Sequence, residues 1–326
     1  MTVLVTGGAG YIGSHTVYAL LDRGDSVVVL DNLSTGRRSQ VGERAVFVEG
    51  DVADTALVKK IIADHKVDAV IHFAGSIVVP ESVADPLSYY ENNVVRTRAL
   101  IQALVEAQVR QFIFSSTATV YAADARQPLA EDEVKAPISP YARSKLMTEW
   151  MLEDVSRAHD FRHMVLRYFN VAGADPQERT GQSTPVATHL IKRAALAALG
   201  RVPHLDIFGT DYPTPDGTGV RDYIHVSDLA AAHLLALDAL KRGAASTSYN
   251  CGYGRGFSVR QVIEAVDRVI GCTLPVREGP RRAGDPPTLI SDPSRIKAEL
   301  GWTPVHDDLD GIIRSAIAWE RRFNSP

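Results

Sequence analysis

The sequence predicts an α/β fold whose centre is a doubly wound parallel sheet. Short apolar runs recur in the first half of the chain, at residues 3–5, 26–30, 46–48, 69–73, 111–114 and 163–167, and candidate helices lie between them, at 55–65, 86–108 and 140–159. Near-continuous apolar strands that alternate with helices are typical of a parallel sheet with both faces covered. Ligands of such folds bind beyond the carboxyl ends of the strands, so the residues that follow them form the candidate site.

The pattern loosens after residue 170 and predicts a smaller second region. Residues 171–219 are rich in Gly, Pro, Thr and Asp, and a basic loop is predicted at 277–285. Helices are predicted near 186–199, 226–241, 258–271, 294–300 and 307–323, with a strand at 248–250. We therefore expect a dinucleotide-binding (Rossmann) domain at 1–170, rejoined by about 220–246, and a smaller α/β substrate domain made mainly of 171–326.

The composition narrows the classes of function. The 326 residues have a formal net charge of −4, which gives no reason to expect a nucleic acid or an anionic membrane as partner. The only two cysteines, Cys251 and Cys272, lack metal-type spacing and suit a reducing cytosol. No apolar run approaches the roughly 20 residues of a membrane span. We expect a soluble, cytoplasmic protein without a metal and without a leader sequence before the first strand.

A glycine-rich turn links the first strand to the first helix. Glycines at positions 7, 8, 10 and 13 satisfy the Gly-x-Gly-x-x-Gly spacing, and the second strand ends at Asp31. Glycine allows the tight turn and the close approach of a diphosphate, and the helix start offers free N–H groups. A glycine turn alone can be purely structural, but the carboxylate at the second strand suits the hydroxyls of an adenosine ribose. The context therefore predicts an NAD site; a carboxylate there would repel the 2′-phosphate of NADP.

A helix predicted from residue 140 carries a candidate base. Ser139 suits its N-cap and Pro140 its first turn, so Tyr141 and Lys145 share one helix face. A free tyrosine, with a pKa near 10, is a poor base at neutral pH, and we expect a nearby ammonium and a positive nicotinamide ring to lower that pKa. Thr117, beyond the fifth strand, is a candidate to pass a sugar proton to the tyrosine. On its own the pair also fits a solvated helix.

Several stretches together resemble one family over essentially the whole chain. They are residues 5–15, 73–75, 81–82, 89–93, 114–121, 139–145, 166–170 and 216–226. The sequence resembles the extended short-chain dehydrogenase/reductases, and most closely the UDP-glucose 4-epimerase family. The resemblance implies that hydride moves from sugar C4 to tightly held NAD and returns to the other face of a 4-keto sugar. It also implies a UDP-sugar substrate and a homodimer formed through the helices near 86–108 and 140–159.

The resemblance and the strand ends together assign the site residues. The catalytic residues are expected to be Thr117, Tyr141 and Lys145. The expected cofactor contacts are Gly7, Gly10, Tyr11, Ile12, Gly13, Asp31, Asn32, Ser34, Asp51, Val52, Phe73, Ala74, Gly75, Asn92, Ser115, Tyr141, Lys145 and Tyr168. The expected substrate contacts are Thr117, Tyr141, Asn170, His189, Leu190, Phe208, Arg221, Tyr223, Arg282 and Asp285. Arginines that face a diphosphate make bidentate, charge-assisted hydrogen bonds.

Three positions depart from the pattern of the family or narrow the substrate. Ile77 stands where many relatives carry a lysine near the cofactor, and Thr117 replaces the commoner serine but keeps the hydroxyl. Leu289 matches a position whose bulk favours glucose and galactose over N-acetylated sugars. Epimerases of UDP-pentoses, UDP-hexuronates or UDP-N-acetylhexosamines remain alternatives.

Two further alternatives are weaker. A nucleotide-sugar 4,6-dehydratase of this family would carry an Asp-Glu pair where this chain has Ala118 and Thr119. An NAD-sensing regulator would usually lack the tyrosine and the lysine, and both are present here.

Overall fold

A parallel sheet of seven strands forms the centre of the molecule in the computed structural model, which describes residues 1–184, 188–282 and 285–323. Numbered along the chain, its strands are β1 (Thr2–Thr6), β2 (Ser26–Asp31), β3 (Val46–Glu49), β4 (Ala69–His72), β5 (Gln111–Thr117), β6 (Arg162–Tyr168) and β10 (Thr247–Cys251). Their order across the sheet is β10-β6-β5-β4-β1-β2-β3. The winding direction reverses between β1 and β4, which confirms the predicted doubly wound fold and marks the expected binding crevice.

Helices cover both faces of this sheet. They are α1 (Tyr11–Arg23), α2 (Thr55–His65), α3 (Val79–Ala84), α4 (Pro86–Tyr90), α5 (Arg96–Glu106), α6 (Pro140–Ala158) and α8 (Val226–Lys241). Apolar side chains of α1 and α8 form one continuous core with one face of the sheet. Those of α2, α5 and α6 form a second core on the other face.

The second half of the chain builds a smaller α/β region. Its strands are β7 (Asn170–Ala172), β8 (Leu205–Phe208), β9 (Val220–His225), β11 (Gly256–Ser258), β12 (Val276–Gly279) and β13 (Thr288–Leu289). Its helices are α7 (Leu190–Ala198), α9 (Val259–Ile270), α10 (Ser294–Leu300) and α11 (Leu309–Phe323). β9 pairs with β7, β11 and β13, and β8 pairs with β12. None of the helices in the described ranges combines the length and hydrophobicity that a membrane crossing requires.

The structure corrects several predicted boundaries. The helix predicted at 86–108 is divided into α4, a π-helical turn at Glu91–Val95, and α5. β5 extends to Thr117, so residues 115–117 end the strand instead of following it. The prediction of a loop at 277–285 is wrong for residues 277–279, because β12 occupies them. The helix predicted near 186–199 begins at Leu190, and residues 185–187 lie outside the described residues. α8 packs on the seven-stranded sheet and β10 is one of its strands, so the chain returns to the first region after β9. The division into two domains remains a prediction, and this return supports it.

Candidate active site

The glycine turn between β1 and α1 requires glycine at two positions. Gly7 has a φ of 71°, a conformation that side chains disfavour. A Cβ on Gly13 would lie 2.2 Å from the Gly7 carbonyl oxygen. α1 begins at Tyr11, and its N-cap is Gly10, which has no side chain that could take up the first N–H groups of the helix. The turn therefore presents the N–H groups and the positive helix end that bind a diphosphate.

Asp31 is held beside this turn at the end of β2. Its buried carboxylate accepts hydrogen bonds from the N–H groups of Ala9, at 2.9 Å, and Leu33, at 2.8 Å. Burial raises its pKa, while these two hydrogen bonds oppose the rise. Each oxygen keeps lone-pair capacity for a ribose hydroxyl, so the residue fits the role predicted for NAD. Asn32 and Ser34 follow in an exposed loop, where the Ser34 N–H donates to the Asn32 side chain.

The strands on either side complete the cofactor end of the crevice. The carboxylate of Asp51, after β3, pairs with Arg96 of α5, and Val52 is buried in the core. The segment from Phe73 to Gly75 lies against the glycine turn, because a Cβ on Gly7 would be 2.5 Å from the Ala74 nitrogen. Ile12, in the first turn of α1, packs against the core that α1 forms with the sheet. Ile77 is 45% exposed.

Asn93 is a site residue that the sequence analysis missed. Asn92, the predicted residue, donates to the Ser76 hydroxyl at 2.8 Å. The buried Asn93 instead accepts from the Ser76 N–H at 2.8 Å and donates to the Ser144 hydroxyl at 3.0 Å. A Cβ on Gly75 would be 2.9 Å from its Oδ1. Asn93 thus fixes the loop after β4 to the catalytic helix, from a π-helical turn of the kind found at functional sites.

The candidate catalytic side chains converge at the start of α6. Ser139 caps the helix by accepting a hydrogen bond from the Ala142 N–H at 3.2 Å, which fixes the first turn. Thr117 lies close enough to Tyr141 to oppose the rise in the tyrosine pKa, and its hydroxyl accepts a hydrogen bond from the Thr119 N–H at 3.2 Å. β5 and α6 therefore bring the predicted proton relay together.

Lys145 lies one turn farther along α6. Its ammonium donates to the Ser115 carbonyl oxygen at 2.9 Å and lies 4.9 Å from the centroid of the Phe114 ring. The ammonium has three protons, so this bond leaves donor capacity for a ribose in the crevice. The Lys145 side chain is buried.

The pKa values of these two residues move in opposite directions. Burial raises the pKa of Tyr141 to about 12, and the hydrogen bond from Thr117 opposes the rise. Burial lowers the pKa of Lys145 to about 8, against the charge of Glu149. The expectation of a lowered tyrosine pKa is therefore wrong for the protein alone, because desolvation outweighs the favourable contacts.

Tyr168, at the end of β6, is oriented by a histidine that the sequence analysis also missed. His233 of α8 lies with Nδ1 2.8 Å from the Leu229 carbonyl oxygen, so Nδ1 carries the proton and Nε2 accepts from the Tyr168 hydroxyl. Burial raises the pKa of Tyr168, and the nearby Ser115 opposes the rise. The His233 ring lies 4.9 Å from that of Phe73. Through His233, α8 thus contacts residues at the ends of β4 and β6.

A cleft beside the start of α1 is lined by four of the ten predicted substrate contacts. Tyr11 lines it together with Asn170, His189, Leu190 and Tyr223. Asn170 and Tyr223 are register partners of β7 and β9, which fixes their separation. The structure adds residues of α7 and α11 that were not predicted, namely Lys192, Ala316, Trp319 and Glu320.

Basic and aromatic side chains form the outer end of the substrate region. The Arg282 guanidinium lies 4.0 Å from the centroid of the Phe208 ring. Arg221 donates to the Val220 carbonyl oxygen at 2.9 Å. Tyr212, which was not predicted, lies within electrostatic range of both Arg221 and the exposed Asp285. This end has the charge and the rings expected for a nucleoside diphosphate.

Leu289 packs beside the catalytic strand end. It contacts a small apolar cluster that includes Ala118, the residue after Thr117, and Phe169, the residue before Asn170. Its side chain therefore lies near the end of β5 that carries Thr117. Across the part of the chain that is described, no group of three or more His, Cys, Asp or Glu side chains is arranged to hold a metal ion.

Comparison with known proteins identifies the family. Residues 3–252 match the NAD dependent epimerase/dehydratase family. The UDP-glucose 4-epimerase of Azospirillum brasilense is 57% identical over 319 residues, which cover 98% of this chain and 92% of that protein. The crystal structure of the Brucella ovis UDP-glucose 4-epimerase in complex with NAD superposes with a TM-score of 0.94 at 47% identity, and 97% of each chain is covered. The Campylobacter jejuni UDP-Glc/GlcNAc 4-epimerase superposes with a TM-score of 0.85 at 48% identity, covering 98% of this chain and 99% of that one. With the glycine turn, the tyrosine and the lysine all in place, the chain belongs to the NAD dependent epimerase/dehydratase family and, within it, to the UDP-glucose 4-epimerases.

Proposed function

We propose that this chain interconverts UDP-glucose and UDP-galactose by inverting the sugar at C4, with NAD as a cofactor that is used and restored in each turnover. One observation carries the proposal. Thr117, Tyr141 and Lys145 lie where the end of β5 meets the start of α6, and the Lys145 ammonium lies beside the loop after β4, which contacts the glycine turn. Four of the predicted sugar-nucleotide contacts, Asn170, His189, Leu190 and Tyr223, line a cleft together with Tyr11 of α1. Close relatives that carry this activity support it.

The roles of the side chains follow from their positions. NAD, when bound, supplies reversible hydride transfer at sugar C4, so no net oxidation results. Tyr141 takes the proton from the sugar 4-hydroxyl, and Thr117 holds that hydroxyl and stabilises the phenolate through its hydrogen bond. Lys145 holds the nicotinamide ribose and supplies a positive charge near the base. Arg221 and Arg282 bind the diphosphate of the sugar nucleotide.

The direct test is a substrate assay on the purified protein. UDP-galactose should be converted to UDP-glucose without added reductant, and the product is measured by chromatography. Tyr141→Phe removes only the hydroxyl and should lower kcat by about 100-fold or more, the usual size of a lost acid/base group. Tyr90→Phe, a substitution on α4, serves as the matched control. Full activity of Tyr141→Phe would exclude the tyrosine as the base.

The range of sugars is the second part of the proposal. The bulk of Leu289 beside Ala118 supports hexoses without an N-acetyl group. UDP-N-acetylgalactosamine, a UDP-pentose and a UDP-hexuronate, tested in the same assay, separate the remaining epimerase activities. Brisk turnover of the N-acetylated sugar would contradict a closed pocket, and loss of water from the sugar would indicate a dehydratase.

We also propose a homodimer formed through α4, the π-helical turn and α6. Leu87, Val95, Met147 and Trp150 lie on these neighbouring elements and are 78%, 46%, 37% and 54% exposed. An apolar surface of this kind is typical of an association site. A monomeric mass by light scattering at assay concentration would refute the dimer.

Free Cys251 and Cys272 and the net charge of −4 support a cytoplasmic location without nucleic acid or membrane partners.

A further inference from the structure

A buried glutamine connects the loop after β2 to a distant segment of the chain. Gln40 is 1% exposed. Its amide nitrogen donates to the Thr180 hydroxyl at 3.1 Å and to the Gly181 carbonyl oxygen at 2.6 Å. Its amide oxygen accepts from the Ser183 hydroxyl. The whole amide is thus committed to residues of one segment, 173–184, which we call the strap.

The strap is also bonded to the start of α1. The hydroxyl of Tyr11, the first residue of the helix, donates to the Gly173 carbonyl oxygen at 2.6 Å. One turn later, the hydroxyls of Ser14 and Thr180 are hydrogen-bonded at 2.6 Å. The strap therefore runs alongside the helix whose first N–H groups face the diphosphate site.

The loop after β2 lies against the other side of the glycine turn. The Arg37 N–H donates to the Ala9 carbonyl oxygen at 3.0 Å. A Cβ on Gly36 would be 2.8 Å from the carbonyl carbon of Ala9, so the two backbones are in close contact. The Arg37 guanidinium lies 5.1 Å from the centroid of the Phe323 ring of α11. Gln40 then joins this loop to the strap, so that the glycine turn is enclosed from both sides.

We infer that Gln40 is a positioning residue that retains NAD in its site. It acts through the loop: the ribose candidates Asp31, Asn32 and Ser34 begin this loop, and its backbone contacts the glycine turn at Ala9, so we expect release of a dinucleotide from the turn to move it. The Gln40 amide couples that movement to the rupture of buried hydrogen bonds with the strap. The inference rests on the proposed function. An NAD that is reduced and reoxidised within one turnover does not have to dissociate between turnovers, so tight retention is compatible with catalysis.

The test measures NAD, not only activity. The full-length Gln40→Ala variant is loaded with radiolabelled NAD, and the loss of label into excess unlabelled NAD is followed by gel filtration. We expect dissociation to be about ten-fold faster than in the wild type, the size expected for losing two or more neutral hydrogen bonds. Ser39→Ala, the adjacent exposed position, should match the wild type. At saturating NAD, kcat for UDP-galactose should change little. An unchanged dissociation rate in Gln40→Ala would overturn the inference.

A second variant covers the case in which Gln40→Ala fails to fold. Ser183→Ala removes one of the hydrogen bonds to the amide and should accelerate NAD loss by a smaller factor; an unchanged rate would again overturn the inference. The failure of the proposed function gives a different result. A wild-type protein that retains NAD but leaves UDP-galactose unchanged would refute the epimerase activity alone, whereas one that binds no NAD would refute both.

Discussion

Tyr141 and Lys145 illustrate how one environment changes two ionisable groups in opposite ways. Loss of water disfavours the charged form of each residue, and so the phenol pKa rises to about 12 while the ammonium pKa falls to about 8. A tyrosine with such a pKa is a weak base at neutral pH. In the proposed mechanism a positive charge must therefore lower its pKa, and Lys145, one helical turn along α6, is the residue proposed to supply it.

Replacement of Lys145 by methionine tests this electrostatic role. Activity requires the ionised tyrosine, so kcat should rise with pH through the pKa of Tyr141. Loss of the ammonium raises that pKa, and we expect the rising limb of the pH profile to move about one unit or more toward higher pH. The profile is measured at saturating NAD and UDP-galactose. Lys59→Met, on α2, is the control. An unshifted limb would restrict Lys145 to ribose binding.

At the level of single residues, local spacing in the sequence identifies the candidate groups of the site but not the contacts that hold them in place. The glycine turn, Asp31, Tyr141 and Lys145 follow from local spacing. Asn93 and His233 do not, because their roles depend on the π-helical turn and on the packing of α8 against β6. Two adjacent asparagines within an apolar helical pattern were the only local signal for Asn93.

The catalytic helix α6 is anchored by a buried ion pair one turn beyond Lys145. Arg167 of β6 donates to the carboxylate of Glu149 at 2.7 Å, with side chains 3% and 2% exposed. The Ser116 hydroxyl donates to the same carboxylate at 2.5 Å. The pair thus joins α6 to both β5 and β6, immediately behind the strand ends that carry Thr117 and Tyr168.

Breaking this ion pair should be costly for stability. Glu149→Gln leaves the buried Arg167 without its counter-charge, and we expect the free energy of unfolding to fall by about 3 kcal/mol or more. The double variant Glu149→Leu, Arg167→Met should lose less than the sum of the two single variants. Urea denaturation measures each. Asp160→Asn, which breaks the exposed pair with Arg110, should change stability by less than about 1 kcal/mol. Equal effects of the buried and exposed pairs would contradict this account.

Elements with strong periodicity were predicted well, and short ones were not. α2 and α10 have the predicted boundaries, and α6 differs by one residue. β7 and β13 have only three and two residues, and both pair with β9, which is distant from each of them in sequence. The basic segment at 277–285 resembled a loop because strand β12 is exposed and polar, so no alternation of apolar residues marks it.

The whole molecule contains a set of buried neutral histidines. Burial lowers the pKa to about 4 for His15, His163 and His233, and to about 3 for His72 and His225. The ordinary value is near 6.5, so the unfolded chain binds more protons than the folded chain between about pH 4 and 6.5. Folding is therefore opposed as the pH falls through this range.

Acidification should destabilise the protein steadily. Between pH 7.5 and 5.5 each of these histidines should lower the free energy of unfolding by about 1.3 kcal/mol. Urea denaturation across this range gives the slope. His163→Gln, in which the Ser156 contact of the histidine can be retained, should flatten the slope by one histidine's share. A stability that does not fall toward pH 5.5 would contradict the buried neutral state.

The strand β10 has a consequence for how the chain is made. It pairs with β6 along five residues, yet it is synthesised only after β7, β8 and β9. Until it emerges from the ribosome, β6 has an open edge of backbone N–H and C=O groups that can recruit another chain. A fragment ending at residue 170 should therefore aggregate instead of folding as a portable nucleotide-binding module. The first half of this chain completes its sheet only with a strand that the second half supplies.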